Sequence, residues 1–172
     1  GSATGTNYGG AVNNEGRLTL NAVTVRDSTA NMGGGGIHNT GVLTVTNSAI
    51  VSNTAVIAGG GVFQFSGTTV VANSTVAANE TQGSGGGIAA LGGTVWLNNV
   101  TVAYNTADSD NTNGGDGGGL YYSGGITFTA SNSAVSDNVD VSHGDYPYYG
   151  AADCYGAFGS RGYNLISDRG YN

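Results

Sequence analysis

Five times the chain repeats one phrase, a run of glycines closed by an aliphatic residue: GGAV at 9–12, GGGI at 34–37, GGGV at 59–62, GGGI at 85–88 and GGGL at 117–120. The anchors Val12, Ile37, Val62, Ile88 and Leu120 stand 25, 25, 26 and 32 residues apart. A period of this length marks a stacked architecture, in which one unit cannot bury its own apolar face and its neighbours must cover it.

Each phrase is followed by two further strand-like runs. The first is LTL at 18–20, LTV at 43–45, TVV at 69–71, VWL at 95–97 and FTA at 128–130; the second ends in IVSN at 50–53, VAAN at 76–79, VAYN at 102–105 and VSDN at 135–138. Aligned, they give apolar columns: Leu18, Leu43, Thr69, Val95, Phe128; Leu20, Val45, Val71, Leu97, Ala130; and Val25, Ile50, Val76, Val102, Val135. Residues two apart on a strand share a face, so these columns line one interior. Three short strands per repeat, separated by Gly/Asn turns, predict an all-β parallel solenoid of five to six coils spaced about 4.8 Å apart.

Composition agrees. The chain has 33 glycines in 172 residues and 9% charged residues, against roughly 7% and 25% in ordinary soluble domains. Such material makes poor helices.

The column Ser28, Asn53, Asn79, Asn105, Asn138 falls where each coil turns a corner, and Asn47, Asn73, Asn99 and Asn132 form a second one. Stacked amides bond along the stack and tolerate left-handed backbone, so the expected role is architectural. The glycosylation-like triplets that begin at Asn73, Asn79 and Asn99 lie on these columns and are read the same way.

Lysine is absent, and Arg17, Arg26, Arg161 and Arg169 are scattered in a chain of formal charge −7. That provides no footprint for nucleic acid. No apolar run is long enough to span a bilayer, and the first residues lack the pattern of a signal peptide. Cys154 stands alone and cannot form an internal disulfide. Low charge and Asn/Thr/Gly richness lean towards an extracellular or cell-surface setting.

The glycine phrases with IVSN, VAAN, VAYN and VSDN resemble the GGAI/FxxN repeats of polymorphic outer membrane proteins and related bacterial right-handed β-helix surface proteins, within the pectate-lyase-like superfamily. Asp153-Cys154-Tyr155-Gly156 through Gly162-Tyr163-Asn164-Leu165-Ile166-Ser167-Asp168 is similar to a DC-G…GYNLIGD closing segment of secreted bacterial β-helix proteins. The resemblance implies a right-handed helix, coils over 1–138, a closing or capping segment over 139–172, and a chain that is a fragment of a larger one. It says little about activity, because the same helix serves adhesins, matrix proteins and polysaccharide-cleaving enzymes.

Two insertions break the period, 106–116 and 139–156. Both follow the same corner on successive coils, so they are expected side by side on one edge, where solenoids concentrate function. Asp108, Asp110 and Asp116, near Asn111 and Asn113, offer hard oxygens suited to calcium. Asp140, His143, Asp145 and Asp153 hold the ingredients of general acid/base cleavage of a glycosidic bond; with no lysine, a hydrolase is favoured over a lyase.

Eight of the ten tyrosines follow residue 120. Tyr121, Tyr122, Tyr146, Tyr148 and Tyr149, with outward-facing Trp96, are candidates for stacking on sugars or a protein partner, and the tyrosines serve equally as a cap on the last coil. The leading expectation is a non-catalytic surface or adhesin-like module that presents this acidic, Tyr-rich edge to an extracellular polysaccharide or a surface protein. A polysaccharide hydrolase and a fibre subunit that self-associates coil on coil are the alternatives.

Overall fold

The computed structural model describes residues 7–112, 114–124, 127–141 and 152–167. Every sheet in it is parallel, and no helix occurs among these residues. The chain winds as an all-β parallel solenoid of about five turns with roughly 26 residues per turn.

Three sheets run along the solenoid in chain order. The first joins Val12–Asn14, Ile37–Asn39, Val62–Gln64, Ile88–Ala90, Leu120–Tyr122 and Cys154–Tyr155. The ten-stranded second sheet carries both later runs of each repeat, fused into single strands at Thr68–Ala77 and Thr94–Ala103. The third was not expected: two-residue strands Thr29–Ala30, Thr54–Ala55, Glu80–Thr81, Thr106–Ala107 and Val139–Asp140, each just past the corner residue. Thr106 and Ala107 therefore belong to a coil, and the insertion starts at Asp108. The closing segment likewise continues the solenoid, because Cys154 pairs with Leu120, Gly159 with Thr129 and Leu165 with Ala134.

Register is as the columns require. Leu43 pairs with Leu18 and Thr69, Val71 with Val45 and Leu97, and Val76 with Ile50 and Val102. The anchors stack from Val12 to Leu120 with Cys154 as a sixth member, and all these columns share one continuous apolar core. A slip of one residue would turn the whole set outwards, so the alternation itself fixes register.

The glycine phrase has a separate steric reason at each position. The first glycine has positive φ, for example +74° at Gly34 and +73° at Gly85. At the second, an added Cβ would lie 2.5 Å from backbone atoms of both the third sheet and the next coil, as at Gly86 with Thr106 and Gly118. At the third, it would press on the corner amide, 3.1 Å from Asn53 at Gly36 and 3.0 Å from Asn105 at Gly87. The first coil alone has alanine there, Ala11, and by register it faces Ser28, the one corner residue that is not Asn.

Candidate functional site

The corner column is a continuous hydrogen-bonded ladder. Asn53 donates to Asn79 Oδ1 from both its backbone N–H (3.0 Å) and its Nδ2 (2.9 Å), and Asn79 does the same to Asn105 at 3.0 and 2.9 Å. Each Nδ2 also reaches back to a strand carbonyl of the preceding coil, Asn79 to Ile50 O at 2.9 Å and Asn105 to Val76 O at 3.0 Å. Asn138, the last amide, donates to Asp153 Oδ1 from N (3.0 Å) and Nδ2 (2.7 Å), while Asp153 Oδ2 accepts from Ser167.

Asp153 is 1% exposed. All rung-to-rung bonds run towards the C-terminal end, so the final rung needs only to accept from Asn138. A carboxylate does that, whereas another amide would add donors. This candidate acid is thus placed in the framework, with both oxygens occupied.

Two further polar sets lie inside. Val23 N donates to Ser48 Oγ and Ser48 N to Ser74 Oγ, both at 3.0 Å, and Val100 N to Ser133 Oγ at 3.1 Å. Asn14 Nδ2 donates to Asn39 Oδ1 at 2.6 Å, Asn39 Nδ2 to Gln64 Oε1 at 2.8 Å, and Thr69 also donates to Gln64. The column Asn47, Asn73, Asn99, Asn132 has φ of 49° to 56°, the left-handed turn expected of it, and Asn99 donates to Asn73 at 2.9 Å. Its members are exposed, unlike the corner amides.

Asp116, at the end of the first insertion, feels the charge of Asp140, near the start of the second; residues 142–151 lie outside the described residues. Asp116 follows Gly33, Ala58 and Ser84 in the loop beside the first sheet, its carbonyl accepting from Gly85 N at 2.9 Å and its own N–H donating to Ser84 Oγ at 3.1 Å. Asp140 occupies the position held in earlier coils by Ala30, Ala55, Thr81 and Ala107. Burial first, and the Asp140 charge second, push the Asp116 carboxyl above its ordinary value. Asp108 is buried with φ of 50°, while Asp110 is exposed. Among the described residues no three His, Cys, Asp or Glu side chains gather as a metal-binding group. His143, Asp145, Tyr146, Tyr148 and Tyr149 lie outside the described residues.

This pair has a measurable consequence. A carboxyl whose folded-state value is raised is most stabilising when protonated, below the ordinary carboxylate range, and loses that contribution as pH rises through the raised value. Asp116→Asn, which stays neutral, is expected to gain in melting temperature on the wild type as pH is taken from 4 to 7. Parallel melting curves over that range would refute the raised Asp116 carboxyl.

Sequence reasoning missed the outer face of the first sheet, where Asn13, His38, Phe63, Ala89, Tyr121 and Tyr155 stack in register. Tyr8, His38 and Phe63 form a ring stack, with centroids 4.6 Å apart for Tyr8–His38 and 5.6 Å for His38–Phe63, and Tyr121 lies 5.3 Å from Tyr155 at 12°. The available signal was the residue after each anchor, outward by alternation and aromatic in four of six coils. His38 is buried in this stack, its Nδ1 2.7 Å from Asn13 Oδ1; burial lowers its pKa, and nearby Glu15 opposes that. Tyr122 turns the other way and packs with Phe128 and Phe158, which themselves meet edge to face at 4.9 Å.

Trp96 is outward as expected, in the column Thr19, Thr44, Val70, Trp96, Thr129, and is 47% exposed. It faces away from Tyr121, on the second sheet, beside a hollow lined by Trp96, Leu97, Asn98, Thr129, Ser131 and Arg161. The described candidates therefore occupy two different sheets, Tyr121 and Trp96 facing outwards and Tyr122 packed against the core.

The class this geometry defines is the parallel β-solenoid. In comparisons with family models, curated proteins and solved structures, the chain matches none. The likeness to polymorphic outer membrane proteins rests on the repeat residues alone.

Proposed function

We propose that the chain is a secreted or cell-surface structural module, non-catalytic, that presents exposed aromatic side chains on a rigid rod to glycan or protein partners. The observation that supports this is a division of labour. The buried Asn, Ser and Gln side chains fix the shape through ladders, while Trp96 and Tyr155 on outer sheet faces, and Tyr8 and Phe65 just outside the strands, are between 39% and 53% exposed. Aromatic faces backed by Thr, Ser and Asn suit sugar rings, and a chain without lysine suits an extracellular surface.

A polysaccharide hydrolase is the second reading, supported by one observation: the Asp116 carboxyl is raised, by burial first and by the charge of Asp140 second, and two carboxyls held at different values are what acid/base cleavage uses. One experiment separates them. The protein is incubated with a panel of neutral and acidic polysaccharides and followed by affinity electrophoresis and size exclusion. Retardation without shortening is expected; shortening that disappears in Asp140→Asn would replace display with hydrolysis.

A further inference from the structure

We propose that the hollow beside Trp96 is a subsite for a carboxylated sugar ring, an inference that rests on the glycan-display reading and narrows it to acidic chains. The hollow is built by two adjoining outward columns of the second sheet. In one, Trp96 is followed by Thr129 and then Gly159. Glycine puts no side chain above Thr129, so the space over that threonine, one coil on from the indole, stays open.

In the other column, Asn98 and Ser131 are followed by Arg161, whose backbone N–H is tied to Ala130 O at 2.9 Å. Asn98 Oδ1 already accepts from Ser131 Oγ at 3.1 Å and Asn132 Nδ2 at 2.9 Å. That fixes its amide with the NH₂ end as the donor left for a ligand.

Each wall supplies a different part of the recognition. The indole face takes the C–H face of a sugar ring, which needs no charge. The Asn98 amide and the Thr129 hydroxyl address ring hydroxyls. Arg161 is exposed and has no carboxylate partner among the described residues, where the one ion pair of an arginine is Arg26 with Asp27 at 3.3 Å. A guanidinium without an acid partner among the described residues, two coils on from the indole along the same hollow, matches a sugar carboxylate by a two-pronged hydrogen bond. The remaining acids of this chain, net charge −7, act on such a ligand from a distance; at about 0.15 M salt, fields are screened beyond about 8 Å and the contact decides.

The test titrates the full chain calorimetrically with a hyaluronan hexasaccharide, which carries glucuronate carboxylates, and with its methyl ester, at about 0.15 M salt. The acid is expected to bind about tenfold more tightly than the ester. Arg161→Gln should bring the two within about twofold by weakening the acid alone, and Trp96→Thr should weaken both about tenfold. Threonine is what the same column carries at Thr19, Thr44 and Thr129, so that variant keeps the fold, which melting curves check. Sodium acetate should not compete, since it lacks the ring.

Equal affinity for acid and ester, or an acid preference that survives Arg161→Gln, would overturn the carboxylate assignment and leave glycan display standing. Binding indifferent to Trp96→Thr would remove the hollow as the site. Absence of binding to these two probes and to every polysaccharide of the wider panel would overturn the display reading together with this one.

Discussion

Gly86→Ala is expected to lower the melting temperature by roughly 6–12 °C, one methyl group costing about 3 kcal/mol. The added Cβ would stand 2.5 Å from Thr106 N and C on one side and 2.5 Å from Gly118 O on the other. All three are backbone atoms. The first two belong to the third sheet and the last to the next coil, so no side chain can swing aside and the coils must separate. The control is Gly16→Ala, where the new methyl meets nothing within 4 Å and φ is not positive; it should be neutral, or stabilising by up to about 1 kcal/mol through the unfolded chain. If thermal melting shows similar losses for both, the close approach of coil to coil is wrong.

The second large effect is expected for Asn79→Ala. It takes the shared acceptor from Asn53 N and Nδ2, and it takes donors from Ile50 O and Asn105 Oδ1. Asn53 is fully buried, so water cannot replace what is lost, and each orphaned donor costs about 1–3 kcal/mol. The total is roughly 3–5 kcal/mol, or about 6–20 °C in a chain of this size.

Chemistry along the ladder sharpens the test. Asn79→Asp keeps the acceptor for Asn53 but sets a carboxylate against Asn105 Oδ1, so at neutral pH it should cost at least as much as alanine. Asp153→Asn, at the end where no further rung must be met, should cost clearly less. Equal losses for the two exchanges, read by thermal melting, would mean that the ladder has no direction.

Much of the fold was legible because a solenoid converts sequence period directly into spatial neighbourhood. Residues 25 or 26 apart, such as Val12 and Ile37 or Val62 and Ile88, become adjacent, and alternation within each run then sets which side chains face inwards. The corner amides were readable for the same reason.

The candidate site was less legible. Asp153 reads as an acid in a loop, yet it terminates a ladder. Tyr121 and Tyr122 are neighbours in sequence, yet one stacks on Tyr155 outside and the other packs on Phe128 and Phe158. The serine rungs at Ser48, Ser74 and Ser133 escaped notice because a small hydroxyl leaves no apolar signature and the same column carries Val23 and Val100.

By itself, then, the sequence determined the architecture: coil length, the inward columns, the glycine turns and the Asn corner all follow from local period and backbone sterics. The tertiary structure alone decided that the charge of Asp140 reaches Asp116, and that Trp96 and Arg161 share a hollow. The reason is physical. Stacking repeats at a constant rise is a local rule applied again and again, whereas those pairings cross unequal intervals, 24 residues from Asp116 to Asp140 and 65 from Trp96 to Arg161, where the period breaks and only the closed path of the backbone brings the side chains together.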